Sequence, residues 1–200
     1  MSSGGLRAAA DEFLVRFGGD TFDNLFVRAH GSLVYDDHGR EILDFTSGQM
    51  CSTIGHNHPA ITGAIKEACD TALHMFSGMI PQVVAQLGQT LAQDWLPAPL
   101  TKSLFVNTGS ESNEAALRMA KLHTGGYEVL AIGGSWHGVT GGSASVSMAS
   151  DRRGYGPPVP GVHVIPEPNT YRPIFEGLDE EANAQACLEF GLNQLYAKQG

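Results

Sequence analysis

The sequence contains few cysteines, little basic charge and no long apolar run. Its three cysteines, Cys51, Cys69 and Cys187, include no CxxC pair, so neither a disulfide framework nor a zinc motif is indicated. Lysine and arginine total 12 against 21 acidic residues, and the net charge of −9 disfavours a nucleic-acid or anionic-membrane surface. No apolar run is long enough to span a membrane, and no basic leader precedes an apolar stretch at the N-terminus. These absences lead us to expect a cytoplasmic protein without nucleic-acid or membrane partners.

Apolar residues make up 42% of the chain and follow alternating helix and strand periods. The short turn from Asp36 to Gly39 lies between two strand-like segments and predicts a β-hairpin. The later alternation of strands and helices predicts an α/β fold with a largely parallel sheet. Helices are predicted at 6–17, 59–73, 84–95, 110–123 and 179–198. Strands are predicted at 33–35, 41–45, 103–106, 127–132 and 162–165.

The segment from Thr108 to Ala116 combines a small polar turn with the start of a predicted helix. Amides in the first turn of a helix have no intrahelical partner and can bind an anion, which the helix dipole also favours. Thr108 and Ser110 supply hydroxyl groups, and Gly109 permits close approach of the backbone. The same segment also fits a capping box, in which Thr108 and Glu111 cap each other's backbone amides. The two interpretations are compatible because they use the same helix end.

Trp136 lies in a glycine-rich segment, 133–138, that follows the predicted strand at 127–132. A large aromatic side chain at the C-terminal end of a strand is well placed to stack on a ligand ring. The alternative is that Trp136 packs over the end of the sheet and that His137 is a polar surface residue. The segment does not match GxGxxG, so a dinucleotide site is not indicated.

Two neighbouring segments carry other reactive side chains. His56 and His58 have a spacing that zinc could use, but no third ligand stands at a suitable spacing, so a metal site is not favoured. Cys51 has no basic neighbour in the sequence that would activate its thiol, so we expect it to be buried and inert.

These segments together resemble the class III family of aminotransferases, which depend on pyridoxal 5′-phosphate (PLP) and have the type I aminotransferase fold. The resemblance implies that residues 1–58 form an N-terminal part of the small domain, with the hairpin, and 59–200 the first part of the PLP-binding large domain. It also implies a homodimer or tetramer for full-length members. The resemblance extends over nearly the whole chain and is carried by 31–36 with Gly39 and Arg40, 43–45, 55–59, 108–116 and 136–138.

The family resemblance assigns the cofactor contacts to two parts of the chain. It implies that Thr108, Gly109 and Ser110 hold the phosphate of PLP, and that Trp136 stacks on its pyridine ring.

Within the family, the chain resembles 2,2-dialkylglycine decarboxylases, which decarboxylate an α,α-dialkyl amino acid and then transaminate a keto acid such as pyruvate. This likeness implies that Gln49 contacts the substrate carboxylate at the bond that breaks. A glutamine suits that role, because its neutral amide can hold the carboxylate without stabilising it as strongly as an arginine would. An ordinary ω-aminotransferase acting on an amine or amino acid is the alternative. The likeness is carried by 45–50, 76–79, 109–116 and 170–173.

The same likeness implies part of an alkali-metal site for K⁺ or Na⁺. Met75 corresponds to a ligand through its backbone carbonyl, and Ser77 corresponds to a second ligand.

The Schiff-base lysine of the family has no counterpart in this sequence. None of its lysines has the expected setting, so we expect an N-terminal half of such an enzyme. A further alternative is a truncated half-protein without catalytic activity. The lysines are Lys66, Lys102, Lys121 and Lys198.

Overall fold

The computed structural model describes residues 3–15, 21–71, 74–148 and 154–199. The chain divides into two compact units, Met1–Gln86 and Leu87–Gly200. The first contains an antiparallel sheet and the second a parallel pair of strands, and helices occur in both, which confirms the predicted α/β class. No helix in these ranges is long and apolar enough to cross a membrane.

The first unit is built on a three-stranded antiparallel sheet. Its strands are β1 (Phe26–His30), β2 (Leu33–Asp36) and β3 (Glu41–Leu43), in that order across the sheet. β2 and β3 form the predicted hairpin, in a register that pairs Val34 with Ile42. β1 extends the hairpin on its other side, where the sequence analysis predicts no strand.

Asp36 explains why the chain reverses between β2 and β3. Its side chain is buried, and its carboxylate accepts hydrogen bonds from the backbone amides of His38 and Arg40 and from the side chains of Asn24 and Arg40. Burial alone would raise the pKa of this carboxyl, but the hydrogen bonds from Arg40, Asn24 and His38 hold it below its usual range. Gly39, with φ +79, supplies the positive φ that the turn requires.

Helices occupy most of the rest of the chain up to residue 90. The predicted start at Pro59 is confirmed, as expected for a residue whose missing N–H costs nothing in the first turn. The predicted ends of the first helix, at 16–17, and of the next, at 72–73, lie outside the described residues. The helices are α1 (Ser3–Phe13), α2 (Ser47–Met50), α3 (Pro59–Thr71) and α4 (Gln82–Thr90), and α4 continues into a π-helical turn at Leu91–Trp95.

The second unit places helices around a parallel pair of strands. The strands pair in register from Val129 with Val162 to Ile132 with Ile165. The last helix packs against the second of these strands so closely at Gly191 that an added Cβ would lie 2.9 Å from a side-chain carbon of Ile165. The elements are α5 (Gly109–Thr124), β4 (Val129–Ile132), α6 (Gly141–Val146), β5 (Val162–Ile165) and α7 (Glu180–Gln199).

The strand predicted at 103–106 is wrong. These residues form no regular element and pair with no strand in the part of the chain that the structure describes, and all four are exposed. Their apolar character suits a sheet interior, but a strand exists only where a neighbour completes its backbone hydrogen bonds. β4 pairs with β5 and not with this segment.

The apolar core is small for a chain of this length. Among the residues that the structure describes, the buried apolar ones are Ala131, Ala144, Val146 and Cys187, all in the second unit. Large apolar side chains remain in contact with solvent in both units, including Phe45 at 91% and Leu122 at 76% exposure. Exposed apolar surface of this extent normally marks a surface that packs against something else.

Candidate functional site

The start of α5 is a capping box. Thr108 Oγ1 accepts a hydrogen bond from the Glu111 amide at 3.1 Å, and the Glu111 carboxylate accepts from the amides of Asn107 at 2.7 Å and Thr108 at 3.2 Å. Thr108 has the extended backbone of an N-cap residue, with φ −138 and ψ 158. The capping interpretation is therefore confirmed, and it accounts for three of the amides at this helix end.

Two further amides at this end, those of Gly109 and Ser110, have no hydrogen-bond partner among the described residues. A Cβ added to Gly109 would meet nothing within 4 Å, so the space beside it is open. The oxygens of Thr108 and Ser110 accept hydrogen bonds from the fold, which leaves their hydroxyl protons to donate. Two N–H and two O–H donors at the positive end of a helix match the chemistry of a phosphate group.

The loop that carries Trp136 lies against the same helix end. Ser110 and Asn113 are three residues apart and so share one face of α5. Ser110 Oγ accepts from the Val139 amide at 3.1 Å, and Asn113 Nδ2 donates to the His137 carbonyl at 2.6 Å. These bonds fix the backbone on the C-terminal side of Trp136 to the first two turns of α5.

Glu114 extends this contact to the next helix. Its Oε1 accepts from the Thr140 hydroxyl at 2.7 Å and from the amides of Gly142 at 2.8 Å and Ser143 at 3.0 Å, which are first-turn amides of α6. The Ser143 amide, the Thr140 hydroxyl and the Gly142 amide lower the pKa of this carboxyl despite partial burial. A side chain of α5 thus caps α6.

Gly138 lies in close contact with α5. An added Cβ would lie 2.4 Å from Ser110 Oγ and 2.7 Å from Ser143 Oγ, and φ is +135. The amides of His137 and Gly138 both donate to Ser147 Oγ, at 2.8 and 3.2 Å. The loop is therefore held on one side by α5 and on the other by Ser147.

Trp136 is 56% exposed and leaves most of its ring accessible. Its contact with Tyr155 is edge-to-face, with ring centroids 6.5 Å apart and an interplanar angle of 78°. Because His137 and Val139 bond to α5, the loop that carries the exposed ring lies against the helix end that holds the open amides of Gly109 and Ser110. The structure thus brings together the sequence-predicted residues of the second unit, Thr108 to Ser110 and Trp136.

Gln49, the predicted substrate contact, belongs to the first unit. It is exposed and lies on α2, which is a single left-handed turn: Ser47, Gly48, Gln49 and Met50 have φ values of 49, 59, 59 and 65. A left-handed conformation costs roughly 1–2 kcal/mol for each residue other than glycine. A strained turn of this kind persists only where its surroundings stabilise it.

Met75 and Ser77, the predicted alkali-metal ligands, also belong to the first unit. Both are exposed and lie in the irregular segment between α3 and α4. No contact in the structure tests their role as ligands.

The histidines near α2 each have a partner within the fold. His56 Nε2 lies 2.6 Å from Asp44 Oδ2, and His58 Nδ1 accepts from the Ala60 amide at 3.3 Å. Within the described ranges, no group of three or more histidine, cysteine, aspartate or glutamate residues could hold a metal ion. The expectation that Cys51 is buried is wrong: it is exposed directly after α2, and its thiol donates to the Gln49 carbonyl at 3.5 Å.

Sequence reasoning missed three residues that build the site: Asn113, Glu114 and Ser147. The first two carry a usable signal, since Ser110, Asn113 and Glu114 stand at helical spacings of three and four and so share one face. Ser147 carries none, because its contacts with the Trp136 loop depend on the fold of α6 between them.

The fold is that of a transaminase. The structure of a taurine:2-oxoglutarate aminotransferase from Bifidobacterium kashiwanohense, in complex with PLP and glutamate, matches with a TM-score of 0.87 and 26% identity. The match covers 99% of this chain and 46% of that one.

The sequence places the chain within a family of such proteins. The family model described as aminotransferase class-III matches residues 17–199, and the chain therefore belongs to the class III aminotransferases. An uncharacterized aminotransferase of Schizosaccharomyces pombe is 52% identical over 93% of this chain and 41% of that protein. An acetylornithine aminotransferase of Bacillus anthracis is 34% identical over 80% of this chain and 40% of that protein. The chain thus spans about two fifths of the length of these relatives.

Proposed function

We propose that the start of α5 and the Trp136 loop bind PLP, and that the whole protein is an aminotransferase acting on amino acids and keto acids. The observation that carries this proposal is the pair of open amides, Gly109 and Ser110, at the helix end to which the loop of the accessible Trp136 indole is bonded. Membership of the class III family and the PLP complex of a structural relative support it.

Each residue has a separate part in this proposal. The amides of Gly109 and Ser110 and the hydroxyl groups of Thr108 and Ser110 hold the phosphate by charge-assisted hydrogen bonds. The ring of Trp136 covers one face of the pyridine and keeps water from it. PLP, when bound, supplies an electron sink for the bonds at the substrate Cα. We assign covalent attachment of PLP to none of the lysines of this chain.

The phosphate contact can be tested with ligands that lack the reactive aldehyde, pyridoxine 5′-phosphate and pyridoxine. We expect the protein to bind the phosphorylated form more tightly and Ser110→Ala to reduce its affinity about 10- to 100-fold, the effect of one hydrogen bond to a charged group. Affinity for pyridoxine should stay nearly constant. Ser112→Ala is the matched control, since Ser112 is exposed on the same helix and its amide already bonds to the Thr108 carbonyl. Equal effects of the two variants would contradict the proposal.

A second, finer candidate is the decarboxylation of an α,α-dialkyl amino acid coupled to transamination of a keto acid such as pyruvate. The observation that favours it is Gln49, whose exposed position on α2 leaves its neutral amide free to meet a substrate carboxylate. An ordinary ω-aminotransferase has no need for such a contact at the bond that breaks.

Carbon dioxide release separates the two candidates. In the protein with decarboxylase activity, Gln49→Ala should lower kcat for decarboxylation far more than for transamination of L-alanine, because a contact made only in the bond-breaking geometry acts on kcat. Equal losses in the two reactions, or no carbon dioxide from the parent protein, would favour the ω-aminotransferase.

We also propose that Met75, through its carbonyl, and Ser77 form part of a K⁺ or Na⁺ site. Carbonyl and hydroxyl oxygens are the ligands that these ions prefer. Exchange of K⁺ and Na⁺ for a large organic cation at constant ionic strength should lower activity, and Ser77→Ala should reduce that dependence. An activity insensitive to the cation would rule the site out.

A further inference from the structure

The turn that presents Gln49 has a conformation that its residues do not favour. Ser47, Gln49 and Met50 all carry side chains and still have positive φ. In the left-handed region Cβ lies too close to the following carbonyl oxygen, so glycine alone adopts it routinely. The turn's own hydrogen bonds join the amides of Cys51 and Ser52 to the Ser47 carbonyl, at 3.0 and 2.8 Å. Contacts from outside α2 must help to hold it.

Asp44 supplies contacts at the N-terminal end of α2. Its Oδ1 accepts from the Thr46 amide at 2.8 Å, the Thr46 hydroxyl at 2.6 Å and the Ser47 amide at 3.1 Å. The Thr46 hydroxyl and the His56 ring hold the pKa of this carboxyl below its usual range, so the acceptor is charged at neutral pH. Asp44 thus fixes the direction in which the chain enters the left-handed turn.

His56 contacts both Asp44 and the left-handed turn. Its Nε2 lies 2.6 Å from Asp44 Oδ2, and its ring lies close to Gly48, where an added Cβ would be 3.9 Å from Cε1. Its backbone exchanges two hydrogen bonds with Gly31, at 3.0 and 2.8 Å, while the Asp44 amide donates to the Ser32 carbonyl at 2.9 Å. Both residues are therefore anchored through their backbones to the same bend between β1 and β2.

We infer that Asp44 and His56 are positioning residues, which hold α2 in its left-handed conformation and thereby fix the direction in which Gln49 points. The pair acts through α2 rather than by touching a substrate. Its effect on the reaction rests on the proposed contact between Gln49 and the substrate carboxylate, whereas its effect on the turn does not.

Amide hydrogen exchange tests the effect on the turn. His56→Phe removes Nε2 but keeps a ring, and His56→Gln restores a donor. We expect the amides of Cys51 and Ser52 to exchange at least about tenfold faster in His56→Phe, the effect of one lost charge-assisted hydrogen bond, and to recover in His56→Gln. The Gly39 amide, in the hairpin turn, should keep its rate. His38→Phe is the matched control, since the side chain of His38 is exposed on that turn.

Turnover of the complete protein tests the effect on the reaction. His56→Phe and Gln49→Ala should lower kcat by similar factors, and the double variant should be no slower than either single one, because both changes remove the same contact. Additive losses with unchanged exchange at Cys51 and Ser52 would overturn the inference. If Gln49→Ala leaves kcat unchanged, the proposed contact between Gln49 and the substrate carboxylate is wrong. The exchange rates of the Cys51 and Ser52 amides then test by themselves whether Asp44 and His56 hold the turn. Should His56→Phe not fold, Asp44→Asn undergoes the same exchange measurement, with the same expected and contradicting results.

Discussion

At Gly138 the Trp136 loop lies so close to α5 that there is no room for a side chain. The space for a side chain there is filled by Ser110 and Ser143, and the backbone has a φ that favours glycine. The same contact holds the loop that carries Trp136 against the first turn of α5. Stability and ligand binding should therefore respond together to a change at this position.

Gly138→Ala should destabilise the protein by roughly 2–4 kcal/mol, the sum of backbone strain and an overpacked contact. Urea unfolding measures this loss, and affinity for pyridoxine 5′-phosphate should fall in parallel. Gly141→Ala is the control, since an added Cβ there meets nothing within 4 Å and φ is not positive. A fully stable Gly138→Ala protein with normal affinity would show that the close approach has no functional role.

At the same scale, contacts between neighbouring residues could be predicted from the sequence and distant ones could not. The reciprocal capping of Thr108 and Glu111 depends on residues three apart, so the pattern alone indicates it. The contact of Asp44 with His56 spans 12 residues and forms only once β1 and β2 have brought both segments to one bend. The left-handed α2 follows from that tertiary contact rather than from local preference.

Among the contacts between elements, Glu114 links the two helices α5 and α6. It lies on α5 and satisfies first-turn amides of α6, so the two helices share one carboxylate. α6 in turn leads to Ser147, which holds the Trp136 loop from the other side. Loss of the charge on Glu114 should therefore loosen the loop as well as α6.

Glu114→Gln should cost about 1–3 kcal/mol at neutral pH, since hydrogen bonds to a charged acceptor become hydrogen bonds to a neutral one. The folded-state pKa is lowered, so this stabilisation is present above the unfolded pKa, about 4.3, and is lost as pH falls through the folded value. The difference in unfolding free energy between parent and variant should therefore shrink below about pH 4. The exposed Glu176→Gln is the control. If the difference in unfolding free energy between parent and variant stays constant with pH, the loss of stability in Glu114→Gln comes from packing and not from the charge.

Among the elements, those with local start or stop signals were predicted best. Pro59 marks the start of α3, and Gly125, with φ +70, ends α5 near the predicted position. β1 and α6 were not predicted because neither has a strong period, and β1 exists through its pairing with β2. The segment 103–106 has the composition of a strand but no partner, so composition alone led to a wrong prediction.

At the scale of the whole molecule, many large apolar side chains are exposed to solvent. An open groove of about 440 Å³ separates α5 from β4, and apolar side chains line most of it. Assembly as a homodimer or tetramer, which the family resemblance implies, is one way to cover such surfaces. The groove is lined mainly by Ala116, Leu117, Ala120, Leu130, Ala131, Ile132 and Val146.

The 200-residue chain should therefore associate or remain loosely packed when it is expressed by itself. Exposed apolar faces and strand edges without partners favour aggregation, and a loosely packed core protects its amides poorly from exchange. Light scattering across a concentration series and amide exchange at 129–132 measure the two effects. A monodisperse monomer with a sharp cooperative melt and strong protection at 129–132 would show that the chain is self-sufficient.

The central claim is that the start of α5 and Trp136 form one binding site for PLP. Its most direct test is the change in backbone amide chemical shifts on titration with pyridoxine 5′-phosphate, which cannot react with lysine. The account predicts the largest changes at the amides of Gly109 and Ser110 and at the indole N–H of Trp136, all with one affinity. Changes centred on another helix start, such as Gly141 or Glu180, with Gly109 and Ser110 unmoved, would contradict it.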